Sequence, residues 1–341
     1  MKKYYITNVV YGDLYLKIFQ EQHLKSVLDE TNLPSLKEKY ETHYMIFTDA
    51  DTLIKIMDIE DGENIDSFSG EEMIKRLKHP NFKRLAYETK LKFIILDWAR
   101  EDHSRFDMRY SVLMQVFKES VRLAHEADAL LTAWVADLVV AKDFFPRILM
   151  RIEDGHDATF VLPLRGAFEA AAKYLNQINS ALPAQRLFEI AYTNLHPLWV
   201  ACEWVNKRFT RLPFAILWST PTGTMARSFS VTPIVFKPQI EMLNTRGMID
   251  GDIPSFFKNP YWCENWTDAP VVGIEPLFCY YPTFRNFPSS AKWVRLWSKQ
   301  SLHPTQIKYA KKRLYYPDKK TARISWMQKL SSDRIIRKIT R

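Results

Sequence analysis

The fold of this chain depends on an apolar run at its centre, LLTAWVADLVV, which occupies residues 130–140. Thr132 and Asp137 are its polar members, and sequence with helical spacing lies on both sides of it. A short apolar run in such surroundings is typical of a parallel strand buried on both faces of a sheet. Because ligands in open α/β sheets bind at the carboxyl ends of the strands, we expect Asp137 to lie at the edge of a site. The alternative is one buried helix over residues 129–140, with Asp137 as a hydrogen-bonded polar residue.

Segments with strand and helix patterns alternate along the first half of the chain. β-rich or apolar runs predict further strands at residues 4–10, 44–47, 91–96 and 158–163. Helices are predicted at residues 14–28, 109–127, 144–152 and 166–178. Strands and helices that alternate in this way predict an α/β fold with a doubly wound, mainly parallel sheet.

The length of 341 residues exceeds the size at which a single core keeps growing, so one large domain with extensions or two subdomains are expected. After about residue 180 the pattern changes to short strands at 214–218, 225–230 and 233–236, and residues 254–288 are crowded with proline and aromatic residues. There is no low-complexity linker between the two patterns. We therefore expect an α/β half over residues 1–180, an aromatic-rich half over residues 181–300, and a tail over residues 301–341.

The cysteines Cys202, Cys263 and Cys279 have no Cys-x-x-Cys spacing, which argues against a disulfide scaffold and a structural zinc site. The apolar run at the N-terminus is too short for a signal peptide. No stretch approaches the roughly 18 apolar residues that span a bilayer. The predicted location is the cytoplasm.

The net charge of +9 is concentrated in the tail. Residues 301–341 hold 12 Lys and Arg against 2 Asp and Glu, or +10, which leaves 36 against 37, or −1, for residues 1–300. Such a block is typical of a surface that binds lipid headgroups or nucleic acid. Because apolar residues are interleaved with the cations, an amphipathic helical segment on an anionic membrane surface is favoured, which would make the protein peripheral on the inner face of the cytoplasmic membrane. The alternative is a solvated helical tail that packs on its own domain.

Several segments together resemble the GT-A-type glycosyltransferases of bacterial polysaccharide and glycoconjugate synthesis. The opening YITNVVYG at residues 5–12, the strand followed by Thr-Asp at residues 44–51, and the central strand ending in Asp137 are similar to the Rossmann-like, nucleotide-sugar half of that family. AYTNLHP at residues 191–197, residues 225–233, and MIDGD at residues 248–252 are similar in kind to its acceptor half. The likeness runs in order over most of residues 3–285.

The resemblance implies transfer of a sugar from a nucleotide-sugar donor to a glycan or glycolipid acceptor. It implies contacts between the donor and the following residues: Val10, Tyr11, Gly12, Thr48, Asp49, Arg109 and Arg165. Transfer builds negative charge on the leaving diphosphate, so a metal ion or a cationic side chain must face the phosphates. Arg109 and Arg165 are candidates for that role, with surface ion pairs as the alternative.

The family usually ends its central strand in Asp-x-Asp, whose two carboxylates hold a divalent cation, whereas ADLV at residues 136–139 offers Asp137 alone. A literal Asp-x-Asp occurs at Asp49-Ala50-Asp51, directly after an earlier strand. Metal binding, contact with the nucleotide base and a helix cap are all open for this motif. Asp137 and Asp51 are therefore the candidate metal ligands, and their hard oxygens suit Mn²⁺ or Mg²⁺.

An inverting enzyme of this class also needs a general base beside the acceptor hydroxyl, and Asp250, Asp252 and His196 are the candidates. Asp250-Gly-Asp252 also has the composition of an ordinary polar turn. His196 precedes Pro197 and is equally consistent with a hydrogen-bonded histidine at a helix break. The aromatic residues of the second half are expected mostly in the core, with stacking on acceptor sugars as the alternative.

Other function classes find less support in the sequence. It has no P-loop, no Gly-x-Gly-x-x-Gly, no Gly-x-Ser-x-Gly and no His-Glu-x-x-His, which disfavours NTPases, dinucleotide oxidoreductases, α/β-hydrolases and zinc proteases. A nucleic-acid-binding or processing protein that uses the basic tail is the rival from another class, although nucleic acid is the less favoured partner. An inactive scaffold of a membrane-associated glycan assembly is a third interpretation.

Overall fold

The computed structural model of the chain describes residues 1–60, 62–96, 106–245, 253–277, 287–317, 319–320 and 322–340, with side chains except at position 66 and positions 106–110. Its strands are β1 (Lys2–Val9), β2 (Tyr40–Thr48), β3 (Lys90–Ile95), β4 (Leu130–Val135), β5 (Leu138–Val140), β6 (Ala158–Val161), β7 (Leu164–Ala167), β8 (Ala215–Thr220), β9 (Gly223–Ser228), β10 (Thr232–Phe236), β11 (Pro260–Trp262), β12 (Val271–Glu275) and β13 (Leu314–Tyr316).

The α-helices are α1 (Asp13–Ile18), α2 (Leu24–Val27), α3 (Ala50–Ile56), α4 (Gly70–Arg76), α5 (Pro80–Glu88), α6 (Phe106–Glu126), α7 (Phe144–Glu153), α8 (Phe168–Leu175), α9 (Ala184–Thr193), α10 (Pro197–Val200), α11 (Ala291–Ser301), α12 (Pro304–Tyr309) and α13 (Trp326–Thr340). A π-helical turn at Phe19–His23 joins α1 to α2, so residues 13–27 are helical throughout. Short 3₁₀ segments lie at Leu33–Leu36, Ile65–Ser67, Ile240–Asn244, Ile253–Phe256 and Trp266–Asp268.

The main sheet has seven strands in the order β11-β6-β10-β4-β1-β2-β3. Neighbouring strands pair in parallel except at β10, which is antiparallel to both β4 and β6. Alternate residues of the strands face opposite sides: Ile6 packs in the cluster that contains α1, α2, α5 and α7, whereas Leu131 packs with α6. The predicted α/β fold with a mainly parallel sheet is confirmed, and helices cover both of its faces.

The central run at residues 130–140 forms two strands. β4 ends at Val135, residues 136–137 make a turn, and β5 begins at Leu138. β4 stays in the main sheet, whereas β5 pairs with β12 in a second sheet of order β5-β12-β7. The alternative of a single buried helix is therefore wrong. Asp137 lies in the turn where the chain passes from one sheet to the other.

Both predicted halves contribute to the main sheet. β10 and β11 lie beyond residue 180, yet β10 is inserted between β4 and β6, and β11 pairs with β6 at the edge. The helical segment after residue 183 is interrupted, because α9 ends at Thr193 and α10 begins at Pro197. Proline has no N–H and clashes with the preceding helical turn, so it begins a helix instead of continuing one. The helix expected from residue 166 begins at Phe168, since residues 164–167 form β7.

The tail packs on a third, antiparallel sheet of order β13-β9-β8. β13 belongs to the tail and pairs with β9. α11 and α13 bury Val294 and Ile336 in one apolar cluster with residues of β8 and β9. Each such side chain contributes about 1.5–3 kcal/mol on burial. Within the described residues, no helix has both the length and the apolar character that a bilayer-spanning helix needs.

A buried ion pair also fastens α13 to the third sheet. Arg227 on β9 is 2% exposed, and it donates hydrogen bonds to the carboxylate of Asp333 on α13 and to the carbonyl of Lys311. Arg313 donates to the other oxygen of Asp333. The tail is therefore held by apolar packing, strand pairing and a compensated buried charge.

Candidate functional site

The carboxyl ends of three neighbouring strands lie level with one another. Val9 at the end of β1 is in register with Phe47 on β2 and with Val135 on β4. β2 and β3 lie on one side of β1 and β4 on the other, so the order of strands reverses at the β1–β4 boundary. In open α/β sheets such a reversal opens a crevice at the carboxyl ends, and ligands bind there.

The loop after β1, residues 10–12, lies at this reversal of strand order. Val10 is buried, and its N–H donates to the Phe47 carbonyl at 2.9 Å. Gly12 has φ +75°, a left-handed conformation that favours glycine, and open space surrounds the position of a Cβ. Its N–H donates to Thr52 Oγ1 at 3.0 Å, which ties the loop to α3. Tyr11 is half-buried beside Tyr15. The loop is therefore fixed at both ends and exposed at Gly12.

The Asp-x-Asp string lies at the start of α3. Asp49 is the N-cap of that helix and accepts a hydrogen bond from the Thr52 N–H at 2.6 Å. Asp51 is exposed in the first turn. Helix capping is thus the interpretation that the geometry supports for this motif. Thr48, at the end of β2, is buried, and its hydroxyl has no hydrogen-bond partner among the described residues.

Asp137 is a buried carboxylate, with 5% of the residue exposed. Its Oδ2 lies 3.1 Å from Arg165 Nη1, and its Oδ1 has no hydrogen-bond partner within the described part of the chain. Burial raises the pKa of Asp137, the positive charge of Arg165 opposes that shift, and the negative charge of Glu275 adds to it. The Asp137 carbonyl accepts from the Ile274 N–H at 2.7 Å, which joins the turn to β12.

Arg165 reaches Asp137 by crossing β12. Arg165 on β7 is in register with Gly273 on β12, and β5, which follows Asp137, is the next strand. A Cβ at Gly273 would lie 3.0 Å from Arg165 Nη1 and 3.1 Å from its Cγ. Because Gly273 has no side chain, the side chain of Arg165 can pass over β12 to reach Asp137. Glu275 Oε2 is 3.6 Å from the same Nη1, so two carboxylates surround one guanidinium.

A chain of buried polar groups holds the turn that carries Asp137. Asn8 Nδ2 donates to the Val135 carbonyl at 3.2 Å, and the Tyr44 hydroxyl donates to Asn8 Oδ1 at 2.5 Å. The Tyr44 oxygen is also 2.8 Å from His23 Nε2, and His23 Nδ1 is 2.5 Å from the Leu138 carbonyl. Val135 and Leu138 flank the turn, so the chain, here called the clamp, grips it from both sides. Burial lowers the pKa of His23 to about 4, against the opposing effect of the Leu138 carbonyl.

His196 is the N-cap of α10 and is fully buried. Its Nδ1 accepts a hydrogen bond from the Leu198 N–H at 3.3 Å, which uses the lone pair at that nitrogen. Burial lowers the pKa of His196, the backbone of Pro276 opposes this, and the charge of Arg165 lowers it further. The geometry favours the hydrogen-bonded histidine at a helix break over the general base.

The other candidates from the sequence contribute less to this geometry. Asp250, Asp252 and Cys279 lie outside the described residues, as does the side chain of Arg109. The aromatic residues of the second half pack on other aromatic side chains: Trp204 stacks on Trp218, and Trp262 stacks on Phe160 of the first half. They are core residues to that extent.

Of the two candidate metal ligands, Asp137 is the one that fits a cation. Its Oδ1 is buried and has no hydrogen-bond partner among the described residues. Mg²⁺ is commonly bound by one or two carboxylates together with substrate phosphates and water, so one carboxylate is sufficient on the protein side. The Asp49-Ala50-Asp51 string fits poorly, since Asp49 caps a helix and Asp51 is exposed. Across the described residues, no group of three or more His, Cys, Asp and Glu side chains is placed to hold a metal ion.

Three residues of the site did not stand out in the sequence. Gly273 lies in the apolar run VVGIE at residues 271–275, and an isolated glycine in a strand is a signal of close approach by another group. His23 lies four residues after Phe19, on the apolar face of a helical segment. Asn8 follows Thr7 as a polar residue of the first strand. Their roles depend on neighbours that are distant in the sequence.

A scan of known protein families finds no model that matches this chain, and a search of curated proteins finds no significant relative.

Proposed function

We propose that the protein is a glycosyltransferase of GT-A-like arrangement that moves a sugar from a nucleotide-sugar donor to a glycan or glycolipid acceptor. The observation that carries the proposal is the reversal of strand order at the β1–β4 boundary, where the Gly12 loop and the turn with Asp137 follow strand ends that are in register. Nucleotides bind at reversals of this kind in open α/β sheets. The resemblance of the motifs at residues 5–12, 44–51 and 130–137 supports the same class.

The donor diphosphate is placed against the loop that leads into α1. That helix has no side-chain cap, and the N–H groups at the start of a helix favour negative charge. The helical segment that follows the loop runs without a break over residues 13–27. Thr48 and Asp49 lie at the neighbouring strand end, on the side of the crevice where the nucleotide is expected.

Asp137 and Arg165 act at the sugar-phosphate end of the donor in this proposal. Asp137 Oδ1 would accept a hydrogen bond from the donor or hold a metal ion, and Arg165 fixes the carboxylate through its ion pair. Because Arg165 is already paired with Asp137 and Glu275, the charge that opposes the leaving diphosphate has to come from another group. Mg²⁺ or Mn²⁺ held by Asp137 would supply that positive charge. The clamp and the Arg165–Gly273 crossing hold the carboxylate in position.

A thermal-shift screen tests the donor. The chain is heated with UDP-, GDP-, CMP- and dTDP-sugars, with and without Mn²⁺. A ligand at 100 times its dissociation constant stabilises the folded state by about 2.7 kcal/mol, so one nucleotide class is expected to raise the melting temperature. The absence of any shift across the whole set would contradict the proposal.

A pair of isosteric variants tests the site within the same screen. Asp137→Asn is expected to abolish the shift produced by the donor and to lower turnover, because it removes the charge at the buried oxygen. Asp51→Asn is the matched control, since it alters the exposed member of the Asp-x-Asp string. If the thermal shift with the donor is lost equally in both variants, or is lost in Asp51→Asn alone, the donor site is assigned to the Asp-x-Asp string instead.

A further inference from the structure

The outward face of α13 combines exposed apolar side chains with cations. Trp326 and Met327 are 72% and 74% exposed, and Leu330 is 46% exposed. The buried residues of the helix, such as Ile335 and Ile336, point the other way into the third sheet. At the helical period, three further residues fall on the same side as the exposed apolar group: Arg334, Arg337 and Lys338.

This face has no acidic residue that lacks an ion pair among the described residues. Asp333 is the single acid of α13; it lies at the edge of the face, and Arg227 and Arg313 neutralise it. Arg334, Arg337 and Lys338 make no ion pair with any residue that the structure describes. Their charge is therefore not balanced by the described part of the protein.

The neighbouring helix repeats the pattern. Lys292, Leu296 and Lys299 lie on the outer side of α11, and Leu296 is half-exposed. α11 and α13 contact each other and bury their inner sides in the same apolar cluster. Their outer sides therefore lie next to one another. We call this joint surface of residues 291–301 and 326–340 the basic face.

We propose that the basic face binds an anionic lipid surface. Trp and Leu side chains at an interface enter the boundary between headgroups and acyl chains, while Lys and Arg contact the anionic headgroups. A second copy of the chain fits poorly, because two such faces would bring together cations without acids. Nucleic acid would match the cations and Trp326, but it leaves Met327 and Leu330 without an apolar partner. The proposal is independent of the glycosyltransferase assignment.

The test measures co-sedimentation of the full chain with phosphatidylcholine vesicles, with and without about one third phosphatidylglycerol. We expect binding to the anionic vesicles alone and release by salt, because exposed charges are screened. Each Lys or Arg near such a surface contributes roughly a fivefold factor, so the triple variant Arg334→Gln, Arg337→Gln, Lys338→Gln is expected to weaken binding about 100-fold. Trp326→Ser with Leu330→Ser is expected to weaken binding as well.

Matched controls come from two other surface helices. Lys75→Gln, Lys83→Gln and Arg84→Gln remove three charges from α4 and α5, and Tyr87→Ser removes an aromatic side chain that is 69% exposed on α5. These variants are expected to bind as the wild type does. All variants are checked by thermal unfolding, and retained melting temperatures are expected since the altered side chains are at the surface.

Three outcomes would overturn the proposal. The first is equal binding of the basic-face triple variant and the wild type, or equal loss in the control triple variant. The second is binding of a single-stranded oligonucleotide that Trp326→Ser abolishes, without binding to anionic vesicles. The third is a dimer in sedimentation that Trp326→Ser with Leu330→Ser converts to a monomer, again without binding to vesicles.

Discussion

Gly273 allows the side chain of Arg165 to cross β12 and meet Asp137. We predict that Gly273→Ala moves the arginine off this path, since the new Cβ would lie 3.0 Å from Nη1. Overpacking of this kind costs about 1–3 kcal/mol of unfolding free energy, and donor binding is expected to weaken with it. Urea unfolding and the thermal-shift assay measure the two effects. Gly70→Ala is the control, because a Cβ there meets nothing within 4 Å; a Gly273→Ala protein that binds donors normally would remove the arginine crossing from the site.

His23 makes the stability of the fold depend on pH. Its pKa is about 4 in the folded protein against 6.5 ordinarily, so between these values the unfolded chain binds a proton that the folded chain does not. The free energy of unfolding is therefore expected to fall as the pH drops from 6.5 towards 4, by up to about 1.4 kcal/mol per pH unit from this residue. Above pH 6.5 the contribution is constant.

Urea unfolding at several pH values, for the wild type and for His23→Gln, isolates that contribution. The variant is less stable at neutral pH because the clamp loses a member, but its stability is expected to fall less steeply below pH 6.5. His125→Gln, at an exposed position, should keep the slope of the wild type. Identical slopes in wild type and His23→Gln would show that the ring is not the titrating group.

At the scale of elements, the clamp connects β1, β2 and the π-helical turn to the turn after β4. Tyr44→Phe removes the hydroxyl, so Asn8 Oδ1 and His23 Nε2 lose their hydrogen bonds to it. This is expected to lower the free energy of unfolding by about 1–3 kcal/mol. Because the clamp positions Asp137, donor binding or turnover is expected to fall as well. Tyr40→Phe is a matched control on the same strand, since the Tyr40 hydroxyl donates to Glu153 Oε1 at 3.0 Å, away from the turn. If both variants lose stability and neither loses donor binding, the clamp serves the fold alone.

Periodicity in the sequence predicted the main-sheet strands of the first half to within a few residues, because buried parallel strands are continuous apolar runs. It did not predict β7 or the division of residues 130–140 into β4 and β5. The position of β10 had no such signal. A five-residue apolar strand has the same appearance whether it is parallel or antiparallel and whichever strands it joins, and its partners are distant in the sequence. Asp137 was located because it follows the central strand. The partners that define its chemistry, Arg165 over Gly273 and the clamp through Leu138, arise from pairing between segments that no local pattern connects.

At the scale of the whole molecule, the tail is part of the folded body. Asp333→Asn leaves Arg227 buried beside a neutral group, and loss of one partner of a buried ion pair costs about 3–5 kcal/mol. Glu264→Gln removes the exposed Lys312–Glu264 pair instead and should cost about 0–1 kcal/mol. Urea unfolding compares the two.

A chain that ends after Leu302 lacks β13 and α13 and is expected not to fold cooperatively. A cooperative transition in that truncated chain would show that the body is stable without the tail.

The insertion of β10 into the main sheet has a consequence for synthesis of the chain on the ribosome. β4 and β6 have been translated long before β10 exists, and in the finished sheet neither pairs with the other. Until residue 236 has left the exit tunnel, the nascent chain therefore exposes one unpaired edge of β4 and both edges of β6, since β11 is translated later still. Unpaired edges of this kind lead to association between chains. Domains usually complete their folding from the N-terminus as they are made. Here the main sheet is completed only after the second half has been translated. During that interval a chaperone would be required to cover the exposed strand edges.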